Sequence, residues 1–240
     1  VAARRTGGRH RMNLFADALA WLTDPANWTG PFGIPTLTLA HLTYTLLALV
    51  LACAVAAPAG WAIGHTGHGR SFAVALAGAA RALPSLGLLA FLVLVLGVGL
   101  KEVATVVVLV LLAIPPILAG AYAGIDAIPR GTLDSARGVG MTGWQRLWRV
   151  EVPLGLPLLL GGVRGASLQV VSTVMIAAFI GLPNLGTYLI AGQRLGDYAR
   201  MLAGAILVAA LALVLDGVLA VAQRLAVPRG VRMATAAVPA

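Results

Sequence analysis

The chain has 240 residues, of which 60% are hydrophobic and 10% charged, with a formal net charge of +9. Such a composition excludes an ordinary soluble domain, which needs far more polar surface to face water. The positive charge does not indicate a nucleic-acid interface, because the arginines are scattered between apolar runs and not gathered on one polar face.

The chain begins at Val1, and Arg4, Arg5, Arg9 and Arg11 form a basic cluster ahead of Met12-Asn13-Leu14-Phe15. A first-position valine is what an alternative start codon yields when translated literally, so residues 1–11 are expected to be an upstream extension. Residues 12–35 read as an N-terminal surface segment in which Asn13–Leu22 forms a short amphipathic helix ending at Asp24-Pro25. Five apolar runs then approach the ~20 residues needed to cross about 30 Å of hydrocarbon. They are His41–Ile63, Leu83–Leu100, Val103–Ala123, Leu154–Leu182 and Met201–Ala222. The predicted fold class is therefore all-α and polytopic, a membrane domain over residues 36–226 followed by a tail at 227–240.

Within this plan, Arg81 and Pro84 interrupt the second run, and a short surface or re-entrant piece is expected before Pro84. Pro115-Pro116 removes two backbone donors from the third and predicts a kink. Cys53 is the sole cysteine, so the chain alone builds no disulfide or thiolate metal site. His65 and His68 have no third ligand near them in sequence and read as solvated loop residues. No metal and no catalytic residue is assigned.

Orientation follows from basic residues in short loops. Arg130, Arg137, Arg146 and Arg149 precede the fourth run, and Arg224, Arg229 and Arg232 follow the fifth. Both segments are assigned to the cytoplasm, which puts the N-terminus outside. Removing residues 1–11 restores the charge bias at that end.

Between the third and fourth runs, Pro129 suits a helix entry, Gly140 a left-handed stop, and Thr142 the cap of a second helix that carries Trp144, Leu147 and Trp148 on one face. The spacing resembles the cytoplasmic coupling loop of ATP-binding-cassette importer permeases, written in that family as E-A-A, three residues, G, nine residues, I-x-L-P. Asp134, Ser135 and Ala136 match the triplet, Gly140 the glycine, and Val150, Val152 and Pro153 the ending. Asp for Glu, Ser for Ala and Val for Ile or Leu are departures that keep charge, smallness or apolarity. Small residues let a partner backbone approach closely, and Asp134 and Arg137 either pair with charges on the ATPase or fix the loop. No phosphate-cradling G-x-x-x-x-G-K-[ST] occurs in the chain, so ATP is expected on a partner subunit and no cofactor on this one.

Further stretches resemble the permeases of glycine betaine, choline and carnitine osmoprotectant importers, on a methionine-importer-like fold. They are Ala40-His41-Leu42 with Thr45-Leu46, Leu83-Pro84-Ser85-Leu86-Gly87-Leu88-Leu89, and Ala177-Ala178-Phe179-Ile180-Gly181 with Leu185-Gly186. The run Gly181–Gly186 departs from the glycine-richer family pattern. The resemblance implies ATPase subunits, a second permease, identical or related, and an extracytoplasmic binding protein that selects the solute. It also implies a multi-pass inner-membrane protein with a cytoplasmic coupling loop. The five tryptophans sit mostly at predicted interfaces or in the coupling loop and build no aromatic cage for a quaternary ammonium.

Two charges lie within runs, Arg164 in the fourth and Asp216 in the fifth, and are expected to form a structural ion pair. Met175 and Phe179 are candidate gate residues on the path. The alternatives are a permease for another small solute such as an amino acid, a secondary transporter, whose internal repeat is not found, and a non-transporting scaffold, which does not explain the register from Asp134 to Pro153.

Overall fold

The computed structural model describes residues 13–71, 75, 78 and 84–226. All regular structure among them is helical: α1 Leu14–Thr23, α2 Ile34–Thr66, α3 Ser85–Leu96, α4 Lys101–Asp126, α5 Arg130–Gly138, α6 Gly143–Arg146, α7 Val152–Val174, α8 Gly186–Leu195 and α9 Tyr198–Ala226. Short 3-10 turns join several of these, and a π-helical turn, Leu147–Glu151, connects α6 to α7.

Four stretches are long and apolar enough to cross a membrane: Ile34–Thr66, Val98–Asp126, Gly143–Ile180 and Tyr198–Ala226. They correspond to the first, third, fourth and fifth predicted runs. The second run, predicted over Leu83–Leu100, contributes the 12-residue α3 among the described residues. Gly97 at φ +87° ends α3, and a 3-10 turn at Val98–Leu100 leads directly into α4. The piece expected before Pro84 lies mostly outside the described residues, as do residues 1–12 and the tail 227–240. Pro58 lies within α2, and Pro115 and Pro116 within α4, and each helix continues past them.

Helices α2 and α4 run parallel and α7 antiparallel to both, around a core of Leu49, Leu109, Ile117, Leu118, Leu159 and Val170. Glycine makes this closeness possible. A Cβ at Gly60 would lie 2.7 Å from the Leu118 carbonyl oxygen, and one at Gly64 the same distance from the Ile125 Cβ. Across the next seam, a Cβ at Gly120 would lie 2.7 Å from the Leu158 oxygen and one at Gly124 2.5 Å from the Gly155 oxygen. Gly60-x-x-x-Gly64 and Gly120-x-x-x-Gly124 are thus small-residue seams that let helix backbones touch where lipid offers no hydrophobic incentive to associate.

Helix α9 packs against α7 and α8, and α1 lies against α9, with Trp21 edge-on to Tyr188 at 4.9 Å. The Tyr188 hydroxyl donates to the Phe32 carbonyl at 2.7 Å, tying α8 to the entry of α2. Burial raises the Tyr188 phenol above its ordinary value, and the Arg200 cation opposes that rise. One end of the bundle therefore carries Gly33, Lys101 and α8, and the other carries Thr66, the α5–α6 segment and Ala226.

Candidate functional site

The α5–α6 segment is a preformed corner. Pro129 precedes α5, and the helix closes where Gly140, at φ +82°, donates to the Arg137 carbonyl at 2.9 Å while Met141 donates to Ala136 at 3.1 Å. Only glycine takes that backbone without a Cβ penalty. Thr142 and Gln145 then form a reciprocal capping box: the Gln145 N–H donates to Thr142 Oγ1 at 3.3 Å, and the Thr142 N–H donates to Gln145 Oε1 at 3.0 Å.

Of the triplet, Ala136 is buried on the inner face of α5, whereas Asp134 and Ser135 are exposed, as is Arg137 after them. Arg137 Nη1 donates to Asp134 Oδ1 at 2.9 Å, and Ser135 Oγ donates to the Gly131 carbonyl at 2.8 Å. These groups hold their own helix, and the surface beside them is apolar. Val139 is 75% exposed and Trp144 68% exposed. Val150 and Val152 are half-buried, and Pro153 stands in the first turn of α7, directly after the π-helical turn Leu147–Glu151.

Sequence reasoning missed the group that fastens this corner to the bundle. Glu151, 1% exposed, accepts from Arg146 Nε at 2.7 Å and lies 2.5 Å from His65 Nδ1. His65 is accordingly the last-turn residue of α2 with a buried partner and not a solvated loop residue, while His68 is exposed. A carboxylate set between valines at the start of an apolar run was the signal, because such a charge needs a partner.

Arg164 and Asp216 meet between α7 and α9. Arg164 Nε donates to Asp216 Oδ1 at 2.9 Å and Nη2 to Oδ2 at 2.8 Å, a bidentate geometry that fixes both side chains. Arg164 Nη1 also donates to Gln223 Oε1 at 2.9 Å, and Gln223 Nε2 to the Pro157 carbonyl at 2.8 Å. The set is closed on itself within the two helices.

At the opposite end, Met175 and Phe179 belong to the 3-10 turn that follows α7 and line a cavity of about 220 Å³ with Gly186, Leu189, Gln193 and Met201. A neighbouring cavity of about 500 Å³ is lined by Phe32, Leu182, Pro183, Thr187 and Arg194. Ser172 and Thr173 both donate to the Gln169 carbonyl, at 2.9 and 2.7 Å, so their hydroxyls are spent on their own helix.

Comparison with known proteins agrees with this architecture. Residues 56–227 match the family of binding-protein-dependent transport system inner membrane components. The chain is 36% identical over 192 residues to the glycine betaine/carnitine/choline transport system permease protein OpuCB of Bacillus subtilis, covering 80% of this chain and 88% of that protein. It is 34% identical over 222 residues to the osmoprotectant import permease protein OsmW of Salmonella typhimurium, covering 90% of this chain and all of that protein. A solved chain of the MetNI methionine ABC transporter, in an inward-facing form, superposes with a TM-score of 0.66 at 18% identity, over 79% of this chain and 94% of that one, and shows the shared fold. A polytopic helical bundle with this fold, matched over most of its length, belongs to the binding-protein-dependent transport system inner membrane component family.

Proposed function

We propose that this chain is the permease of an ATP-driven importer for osmoprotectants of the glycine betaine, choline and carnitine class. The observation that carries the solute class is near-full-length similarity to permeases named for those compounds. The coupling role is supported by a capped corner that presents Val139 and Trp144 outward beside Asp134 and Arg137. ATP is hydrolysed on separate ATPase subunits that receive this corner, and an extracytoplasmic binding protein delivers the solute. The permease works as a dimer, with a second copy or a related chain. The corner and the end of α9 face the cytoplasm, in keeping with Arg130, Arg137, Arg146, Arg149 and Arg224 at that end of the bundle. Residues 36–226 form the permease domain, 12–35 an outer surface segment and 227–240 a cytoplasmic tail.

The path runs past Met175 and Phe179, while Arg164 and Asp216 hold α7 against α9. The test is reconstitution with the neighbouring ATPase and binding protein, measuring ATP-dependent uptake of labelled glycine betaine beside a Gly140→Asp variant. Uptake by the wild type that is lost, together with ATPase docking, in the variant is the expected result. ATPase activity that responds to the binding protein without betaine uptake discards the solute, and absence of ATPase association discards the coupling role.

A further inference from the structure

The coupling segment is joined through the chain to α4 and α7 but not to α2, which it meets directly through side chains. Two contacts exist. Glu151 bridges Arg146 of α6, at 2.7 Å, and His65 of α2, at 2.5 Å and 86 residues away in sequence. One turn earlier in α2, Trp61 stands edge-on to Trp148 at 5.7 Å, and Trp148 edge-on to Trp144 at 5.5 Å.

Glu151 is the only buried carboxylate among the described residues. It closes the π-helical turn Leu147–Glu151, a geometry that shifts the register between α6 and α7 and recurs at functional positions. Gly143 covers the other side of the imidazole, where a Cβ would stand 3.5 Å from His65 Nε2. From His65 the path continues without slack, because Gly60 and Gly64 bring the α2 backbone against α4.

We infer that Glu151 is a positioning residue for coupling, whose two oxygens lock α6 to α2 so that movement imposed on the segment is passed to the helix that is not adjacent to it in the chain. The inference rests on the coupling role proposed above. A glutamine at 151 keeps the size but removes the charge: Arg146 is left with a neutral acceptor and His65 with at best a neutral amide contact, so the charge-assisted hold on the two partners together is lost. Arg146, 14% exposed at its side chain, can turn to water when released.

The experiment compares wild type, Glu151→Gln and Glu151→Asp in proteoliposomes with the ATPase and binding protein. It reads ATPase co-purification and the ATP hydrolysed per glycine betaine imported. Glu151→Gln is expected to co-purify the ATPase as wild type does while using about tenfold more ATP per solute, equivalent to about 1.4 kcal/mol of lost coupling. Glu151→Asp, which keeps the carboxylate, is expected to recover at least half of the wild-type efficiency. A wild-type ratio in Glu151→Gln overturns the inference, as does equal loss of ATPase binding in both variants, which marks a purely structural role. If Glu151→Gln does not accumulate, Arg146→Gln is read in the same assay with the same outcomes. Failure of the wild-type chain to retain any ATPase overturns the coupling role itself and is distinguishable from both.

Discussion

Gly124→Ala is the sharpest test of the packing described for α4 and α7. The added Cβ would stand 2.5 Å from the Gly155 carbonyl oxygen and 2.9 Å from its Cα, and ordinary contact begins at 3.4 Å. The obstruction is backbone, so neither side relieves it by changing rotamer, and the two helices must part by close to an ångström. Overpacking of this kind costs ~1–3 kcal/mol. Alanine recovers up to ~1 kcal/mol of helix propensity. With both obstructing atoms belonging to the backbone, the upper part of the range applies, and the net destabilisation is about 2 kcal/mol. For a domain of this size that lowers the midpoint by roughly 4–8 °C.

Gly165→Ala, on α7 itself, is the control, since nothing lies within 4 Å of its Cβ position. The measurement is thermal unfolding of the detergent-solubilised protein, followed by loss of the monodisperse size-exclusion peak. A Gly124→Ala midpoint equal to or above that of Gly165→Ala refutes the claim that backbone contact at this seam sets the stability of the bundle.

Other outcomes follow from the same geometry. Thr142→Ala removes one half of the capping box, costs ~1 kcal/mol of local stability, and is expected to raise amide exchange across residues 143–148 while leaving α9 unchanged. Asp216→Ala leaves the Arg164 guanidinium without its bidentate partner; assembly is expected to fall, the double exchange Arg164→Asp with Asp216→Arg is expected to restore it, and full transport by Asp216→Ala would refute a structural pair. For the path, Phe179→Cys is expected to react with a membrane-impermeant thiol reagent more slowly when the loaded binding protein is present, because Phe179 lines a cavity beside an exposed turn; no change in rate removes it from the path.

Much of this protein is local in origin and was readable for that reason. Apolar run length located four span-length helices, because a single segment in hydrocarbon satisfies its own backbone as a helix of about 20 residues. The corner at Gly140 and the cap at Thr142 depend on residues within five positions of each other, so spacing alone described them. The short α3 was harder, since its apolar run continues through Gly97, and the positive φ there breaks the helix while hydropathy stays high.

What depended on the assembled bundle is of another kind. Gly60, Gly64, Gly120 and Gly124 form recognisable small-residue patterns, but which helix each meets is settled by the parallel run of α2 with α4 and the antiparallel run of α7. Arg164 and Asp216, 52 residues apart, could be paired from the sequence as the two charges lying within runs, but their bidentate contact is set by the register in which α7 and α9 cross. Glu151 and His65, 86 residues apart, belong to segments whose local patterns say nothing of each other. The Glu151 carboxylate states in the sequence that it needs a partner, but that the partner is His65 is a matter of distance in three dimensions, which packing alone decides.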